Sequence, residues 1–280
     1  MTRTHELAGL AIVVTGGARG IGRATVERLA RAGATVAIGD RDADLAATTA
    51  ADVSRQTGSR VVAAALDVGD PESWTSFLAA VAEIGPLDVL VNNAGIMPLG
   101  SVLKESDAVT RAIVDVNLHG VINGTKAVAP GMADRGRGHI VNVASAVGRV
   151  AVPNGATYSA SKFAVVGFSE ATRAELAPHG IDVSMVLPTV VLTELAAGVP
   201  AARGVKPVTA DQVAEVIERT IRKPKAETWV PRWSQSVAKS ADLMPRRVKE
   251  AIAHLMKADS VLADADQAQR AAYEERVRGS

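Results

Sequence analysis

The residue types best suited to chemistry sit in the stretch Tyr158-Ser-Ala-Ser-Lys162. On a helix, a spacing of four puts the phenol and the ammonium on one face, one turn apart. A free tyrosine holds its proton until about pH 10. A cation held nearby stabilises the phenolate and lowers that value, which suits a group trading protons with an alcohol oxygen. A tyrosine and a lysine at this spacing are also common on ordinary helices, so the elements around them must decide.

Those elements alternate apolar runs with amphipathic helical stretches, the pattern of a parallel sheet wound through helices. The first run, Leu10 to Val14, leads into Thr15-Gly-Gly-Ala-Arg-Gly-Ile-Gly22. A helical period follows, with Ile21, Val26 and Leu29 on one face and Arg23, Glu27 and Arg28 on the other. A strand, a glycine turn and a helix in that order make an anion site, because helix N-terminal amides point at whatever the turn admits. Gly16, Gly20 and Gly22 depart from the common GxGxxG spacing, and a tight turn is the plainer explanation for them. The strand and helix on either side favour nucleotide binding.

The next strand, Thr35 to Gly39, ends at Asp40. A carboxylate there accepts hydrogen bonds from adenosine ribose hydroxyls and repels a 2′-phosphate, which predicts NAD rather than NADP. Arg19 in the glycine turn and Arg41 beside Asp40 argue the other way, because both suit a phosphate. The carboxylate, acting at the 2′ position itself, outweighs them. A third strand, Val61 to Leu66, delivers Asp67 and Val68 to the adenine side. A helix from Pro71 to Ile84 carries a core stripe of Trp74, Phe77, Leu78 and Val81. The fourth strand, Leu87 to Val91, ends in Asn92-Asn93-Ala94-Gly95, small and amide residues fit to line a crevice.

Asn117 interrupts an apolar helical face and needs a partner, either structural or a water in a proton path. Strand five, Ile140 to Ala144, ends at Ser145, on the carboxyl-end side where open α/β sheets bind ligands. Strand six, Val183 to Leu187, ends in Pro188, with Val191 and Thr193 shortly after. Nothing puts a histidine near Ser145 in its motif, so a hydrolase triad has no support.

Together, Gly16/Gly20/Gly22, Asn92-Asn93-Ala94-Gly95, Asn117, Ser145, Tyr158 and Lys162 resemble the short-chain dehydrogenase/reductase family over roughly residues 8 to 232. The resemblance implies a Rossmann-type seven-stranded doubly wound sheet of order 3-2-1-4-5-6-7 and a homo-oligomer, dimer or tetramer. It implies Tyr158 as general acid/base and Lys162 lowering its pKa while gripping the nicotinamide ribose. Ser145 would orient the substrate oxygen and Asn117 would hold a relay water. The implied cofactor contacts are Gly16, Arg19, Gly20, Ile21, Gly22, Asp40, Arg41, Asp67, Val68, Asn93, Ala94, Gly95, Pro188, Val191 and Thr193, besides Tyr158 and Lys162. Pro188-Thr189 departs from the family's usual Pro-Gly, placing a side chain that would narrow the site near the nicotinamide without touching the four catalytic positions.

The segment 194–208 is small, apolar and hinge-rich, the composition of a lid. With Ile96, Met97, Val147 and Val152 in other rim loops, it suggests a hydrophobic alcohol or ketone, lipid-like or steroid-like. The alternatives are an NADPH-dependent carbonyl reductase and a non-catalytic dinucleotide sensor.

Residues 1–232 read as the catalytic domain, and 233–280 as a basic amphipathic helical extension rather than an independent domain. Trp229, Trp233, Val237, Leu243, Met244, Val248, Ile252, Leu255 and Met256 alternate there with cations such as Arg232, Lys239, Arg246, Arg247, Lys249 and Lys257. Such a segment packs on a second subunit, covers the substrate mouth or touches an anionic membrane surface. The last stretch, 259–280, reads as a polar, alanine-rich helix that frays.

Composition closes off other classes. Lys+Arg 31 against Asp+Glu 30 gives no basic field for nucleic acid, and an aromatic content of 3% argues against base-stacking platforms. With no cysteine, neither a disulfide nor a thiolate metal site can form, and no other metal site is expected. The N-terminus lacks a signal-peptide core and no apolar run reaches the roughly 20 residues of a membrane span, so the cytoplasm is the expected compartment.

Overall fold

The computed structural model describes residues 6–200, 206–242 and 265–278, together with positions 245, 247 and 262. The strands of its main sheet are β1 (Ala11–Thr15), β2 (Thr35–Asp40), β3 (Val61–Ala65), β4 (Val89–Asn92), β5 (Gly138–Val143), β6 (Ile181–Pro188) and β7 (Glu227–Val230). They form one parallel seven-stranded sheet in the order β3-β2-β1-β4-β5-β6-β7, which is the expected topology. The order in which strands are added reverses between β1 and β4, and it is there that such sheets open a crevice at their carboxyl ends.

Both faces of the sheet are covered, which is why the strands read as apolar runs rather than alternating ones. Ile12, Val14, Val36, Ile38, Val89 and Val91 pack under helices α1 (Gly20–Arg31), α2 (Ala43–Thr57) and α7 (Ala210–Arg222). Val13, Ala37, Leu90, Ile140 and Val183 point to the other face, against α3 (Pro71–Ala80) and α5 (Gly120–Asp134). Trp74 and Phe77 meet edge to face there, with centroids 6.0 Å apart, an arrangement worth about 1 kcal/mol beyond its buried area. Helix α6 (Ala156–Leu176) buries Val165 and Val166 against Met185, Leu187 and Trp229.

Some boundaries differ from the sequence pattern. The helix from Pro71 stops at Ala80 and continues as a 3-10 turn, Ala82–Ile84, because Val81 turns inward and Gly85 then takes a positive φ. Strand β5 ends at Val143, leaving Ala144 and Ser145 beyond its last ladder pair. Helix α4 (Asp107–Val114) passes into α5 through a π-turn, Asp115–His119, that contains Asn117.

Beyond β7, helix α8 spans Ser234–Asp242 and leaves Trp233 and Val237 about half exposed. Leu243, Met244, Val248, Ile252, Leu255 and Met256 of the proposed amphipathic segment lie outside the described residues, as do 201–205 of the proposed lid. Helix α9 (Gln267–Arg278) is helical as expected but not loosely attached: Arg270, Tyr273 and Glu274 are buried. No helix among the described residues is long and apolar enough to cross a membrane.

Candidate active site

The turn between β1 and α1 closes because Gly16 and Gly20 take φ of +63° and +54°, where a side chain would be strained. Thr15 Oγ1 accepts the backbone N–H groups of Asn93 and Ala94, both at 3.0 Å. Asn93 Nδ2 returns two bonds, to the Thr15 and Gly16 carbonyls at 2.9 and 3.1 Å. The Asn-Asn-Ala-Gly stretch thus braces the glycine turn.

The N-termini of α2, α3, α4 and α7 are capped by the side chains of Asp42, Asp70, Ser106 and Thr209. Helix α1 has no side-chain cap and no acidic residue in its first turn. Its first amides therefore remain available to an anion. Asp40 closes the far end of this cleft, its carboxylate accepting from Ala18 N at 3.1 Å and Asp42 N at 3.2 Å. Arg19 is paired to Asp42 at 2.5 Å and lies 3.5 Å from Glu194.

A cavity of about 1270 Å³ runs along these groups. Its walls include Gly16, Arg19, Gly20, Ile21, Asp40, Arg41, Asp67, Val68, Asn93, Ala94, Gly95 and Thr193, all read from the sequence as cofactor contacts. Gly22, Pro188, Val191, Tyr158 and Lys162 do not line it. Gly22 packs behind the turn, where an added methyl would lie 2.0 Å from the Gly16 oxygen, and Val191 is buried in the core. An uncapped helix end, a glycine turn without side chains and a carboxylate at the ribose end fit an adenine dinucleotide.

Tyr158 and Lys162 lie one turn apart on α6, at 6% and 5% exposure. Ser145 caps the short turn Ala146–Gly148 by accepting from Val147 N at 3.1 Å, and its hydroxyl is bonded to the Tyr158 phenol. Gly95 lies between Asn117 and Lys162: a methyl on it would meet Asn117 Oδ1 at 3.2 Å and Lys162 Nζ at 3.7 Å. Asn117 Oδ1 accepts from Ile96 N at 2.8 Å, and Nδ2 donates to the Ile96 carbonyl at 2.9 Å and Ser161 Oγ at 3.1 Å. The fold therefore brings all four residues to the carboxyl end of the sheet.

The titration behaviour differs from the sequence expectation. Burial pushes the Tyr158 phenol up to about 12, and the Ser145 bond only partly offsets it. Burial lowers Lys162 to about 8. Burial is the dominant influence on the phenol. Its Nζ is bonded to the Val143 carbonyl at 3.1 Å and lies 5.9 Å from the Tyr158 ring centre.

Sequence reasoning missed three residues, Arg270, Tyr273 and Glu274, which α9 carries into the site. Tyr273 Oη accepts from Met97 N at 2.7 Å, and Glu274 Oε1 accepts from Leu99 N at 3.2 Å. Tyr273 and Glu274 line the same cavity as the glycine turn. Their i, i+3, i+4 spacing was visible, but among many polar residues it carries no sign of burial.

A family model described as short chain dehydrogenase matches residues 10–204. The 3-alpha-(or 20-beta)-hydroxysteroid dehydrogenase of Mycobacterium tuberculosis H37Rv is 38% identical over 199 residues, 70% of this chain and 74% of that protein. The cyclopentanol dehydrogenase of Comamonas testosteroni is 40% identical over 185 residues, 66% of this chain and 74% of that protein. Among solved structures, an alcohol dehydrogenase from Thermococcus sibiricus complexed with 5-hydroxy-NADP superposes with a TM-score of 0.70 at 27% identity, covering 79% of this chain and 95% of that one.

Proposed function

The chain belongs to the short-chain dehydrogenase family, and on that premise we propose that it interconverts a hydrophobic secondary alcohol and its ketone with NAD(H). As a member it is an oxidoreductase of the alcohol dehydrogenase and ketone reductase type that binds NAD or NADP. The observation that carries the finer reading is the clustering of Ser145, Tyr158, Lys162 and Asn117 beside Gly95, which itself lines the glycine-turn cleft.

The dinucleotide, when bound, supplies or accepts the hydride. The protein's own share is the proton. Tyr158 gives its phenolic proton to the carbonyl oxygen in reduction and takes the hydroxyl proton in oxidation. Ser145 orients that oxygen, and Lys162 adds positive charge as the phenolate forms. With its phenol raised to about 12, Tyr158 is protonated at neutral pH and stands ready as an acid.

The preference for NAD rests on Asp40 and on the ion pairs of Arg19. A 2′-phosphate would face the Asp40 carboxylate and would compete with Asp42 for Arg19. The apolar substrate class rests on Ile96, Pro98, Leu99, Val109 and Leu195 in the cavity wall. Similarity to enzymes named for a hydroxysteroid and for cyclopentanol favours an alicyclic alcohol.

Fluorescence titration with NADH and NADPH tests the cofactor, and turnover of cyclopentanol and a hydroxysteroid tests the substrate. NADH should bind about tenfold tighter or better, and Asp40→Ala should narrow the gap, since the carboxylate acts at the 2′ position. Tighter NADPH binding would overturn the NAD preference. Binding without turnover of any alcohol or ketone would leave a dinucleotide sensor in its place.

A further inference from the structure

Helix α9 lies beyond the family-model match, which ends at residue 204. It nevertheless makes polar contact with both loops that flank the catalytic cluster. The Arg270 guanidinium is 0% exposed and donates to the carbonyls of Met97 at 2.7 Å, and of Leu195 and Ala197 at 3.1 Å each. Its Nε donates to Glu274 Oε1 at 3.3 Å, which supplies the countercharge. Arg276 adds an ion pair to Glu194 at 2.8 Å. One helix thereby ties the loop after β4 to the loop after β6.

Burying a guanidinium completely costs several kcal/mol unless its donors are met. Here they are met by the backbone of those two loops, so α9 is seated in one register. That register brings Tyr273, 8% exposed, into the wall of the cavity beside Met97. The cavity that starts at the glycine turn is walled by Tyr273 but not by Tyr158 or Ser145, both of which are buried. The Tyr273 hydroxyl is spent as an acceptor for Met97 N, which fixes the ring in place. Tyr273 is close enough to Tyr158 for the two phenols to interact electrostatically.

We propose that α9 completes the substrate pocket and that Tyr273 is its size-selecting residue, the ring limiting how bulky a ketone reaches Tyr158. This rests on the reading of the site as an alcohol/ketone pocket. It goes beyond it by assigning specificity to a helix outside the shared family core. A tail that merely stabilised the fold would not alter the ranking of substrates by size.

The test compares the full-length wild type with Tyr273→Phe, Tyr273→Ala and Tyr273→Trp. Cyclopentanone, a bicyclic ketone and a steroid ketone are each measured by binding to the enzyme–NADH complex and by kcat/KM. Tyr273→Ala should raise the steroid-to-cyclopentanone ratio by about tenfold or more, the range for reshaping an apolar pocket. Tyr273→Phe keeps the ring and should keep the ratio within about twofold. Tyr273→Trp should move the ratio the opposite way, which decides the matter if the alanine variant does not fold. An unchanged ratio in both the alanine and tryptophan variants overturns the proposal, as does an equal shift in the phenylalanine variant. Ketone binding by wild type without turnover would instead remove the catalytic reading, the binding ratios still deciding this one. Binding of no ketone by any of the four proteins overturns the substrate class and the size filter together.

Discussion

Asn117 holds Ile96 by both ends of its peptide, accepting from its N–H at 2.8 Å and donating to its carbonyl at 2.9 Å. The second amide proton goes to Ser161 Oγ, one residue before Lys162. Both donors of the amide are therefore spent on protein, and Asn117 fixes the backbone beside Gly95 and Lys162. The π-turn at Asp115–His119 turns this side chain into the sheet end. Asn117→Ala would leave the N–H and C=O of Ile96 without these partners, costing about 3 kcal/mol. Urea denaturation should show that loss. Turnover should fall more than NADH affinity, because the displaced loop borders the catalytic residues rather than the phosphate site.

As the proposed acid/base, Tyr158 should set the pH dependence of the two directions. Its phenol is raised to about 12, so below that value it is protonated and able to act as an acid. Reduction should therefore hold level from pH 5 to pH 7, below the value of about 8 at which Lys162 loses the charge that aids the transfer. Oxidation needs the phenolate, whose fraction rises about tenfold per pH unit in this range, so kcat/KM for the alcohol should climb with near-unit slope. A flat oxidation profile would exclude Tyr158 as the base. Tyr158→Phe should lower kcat by about a thousandfold while NADH affinity holds.

The sheet order and the catalytic cluster were readable because each depends on local pattern: apolar runs, a glycine turn, a tyrosine and lysine four apart. Parallel strands covered on both faces leave few other windings for such a chain. The role of α9 was not readable. Arg270 and Tyr273 are buried by loops distant in sequence, and no periodicity in a polar helix announces such partners. The phenol's raised pKa was also hidden, because proximity to Lys162 can be inferred from spacing whereas burial cannot. Gly22 looked like a phosphate contact, yet the close approach it permits is to the Gly16 carbonyl within the turn.

Lys162 links stability to pH. Its value of about 8 in the folded chain lies below the ordinary 10.5, so between those values the unfolded chain binds more protons than the folded one. Stability then rises with pH across that window. The gain from pH 7 to pH 10 should be about 2 kcal/mol. Above pH 10 the raised phenol of Tyr158 reverses the sign, since the folded chain then holds a proton that the unfolded chain has lost. Lys162→Met should remove the rise below pH 10, and urea midpoints at pH 7, 8.5 and 10 would measure it. A rise that persists in Lys162→Met would assign it to another group.

Two glycines separate turn geometry from backbone strain. At Gly22 an added methyl would sit 2.0 Å from the Gly16 oxygen and 2.7 Å from Asn93 Nδ2. Neither neighbour can yield without moving the turn that Thr15 and Asn93 brace. At Gly58, the αL residue that ends α2, φ is +73° and nothing lies within 4 Å. Gly58→Ala therefore meets only the left-handed strain of about 1 kcal/mol and should leave cofactor affinity unchanged. Gly22→Ala should cost about 3 kcal/mol as overpacking and weaken NADH binding by at least about tenfold, because the displaced turn is the one proposed to hold the phosphates. Thermal denaturation and NADH titration of both variants measure the contrast. Equal losses of affinity would mean that the turn's shape does not govern binding.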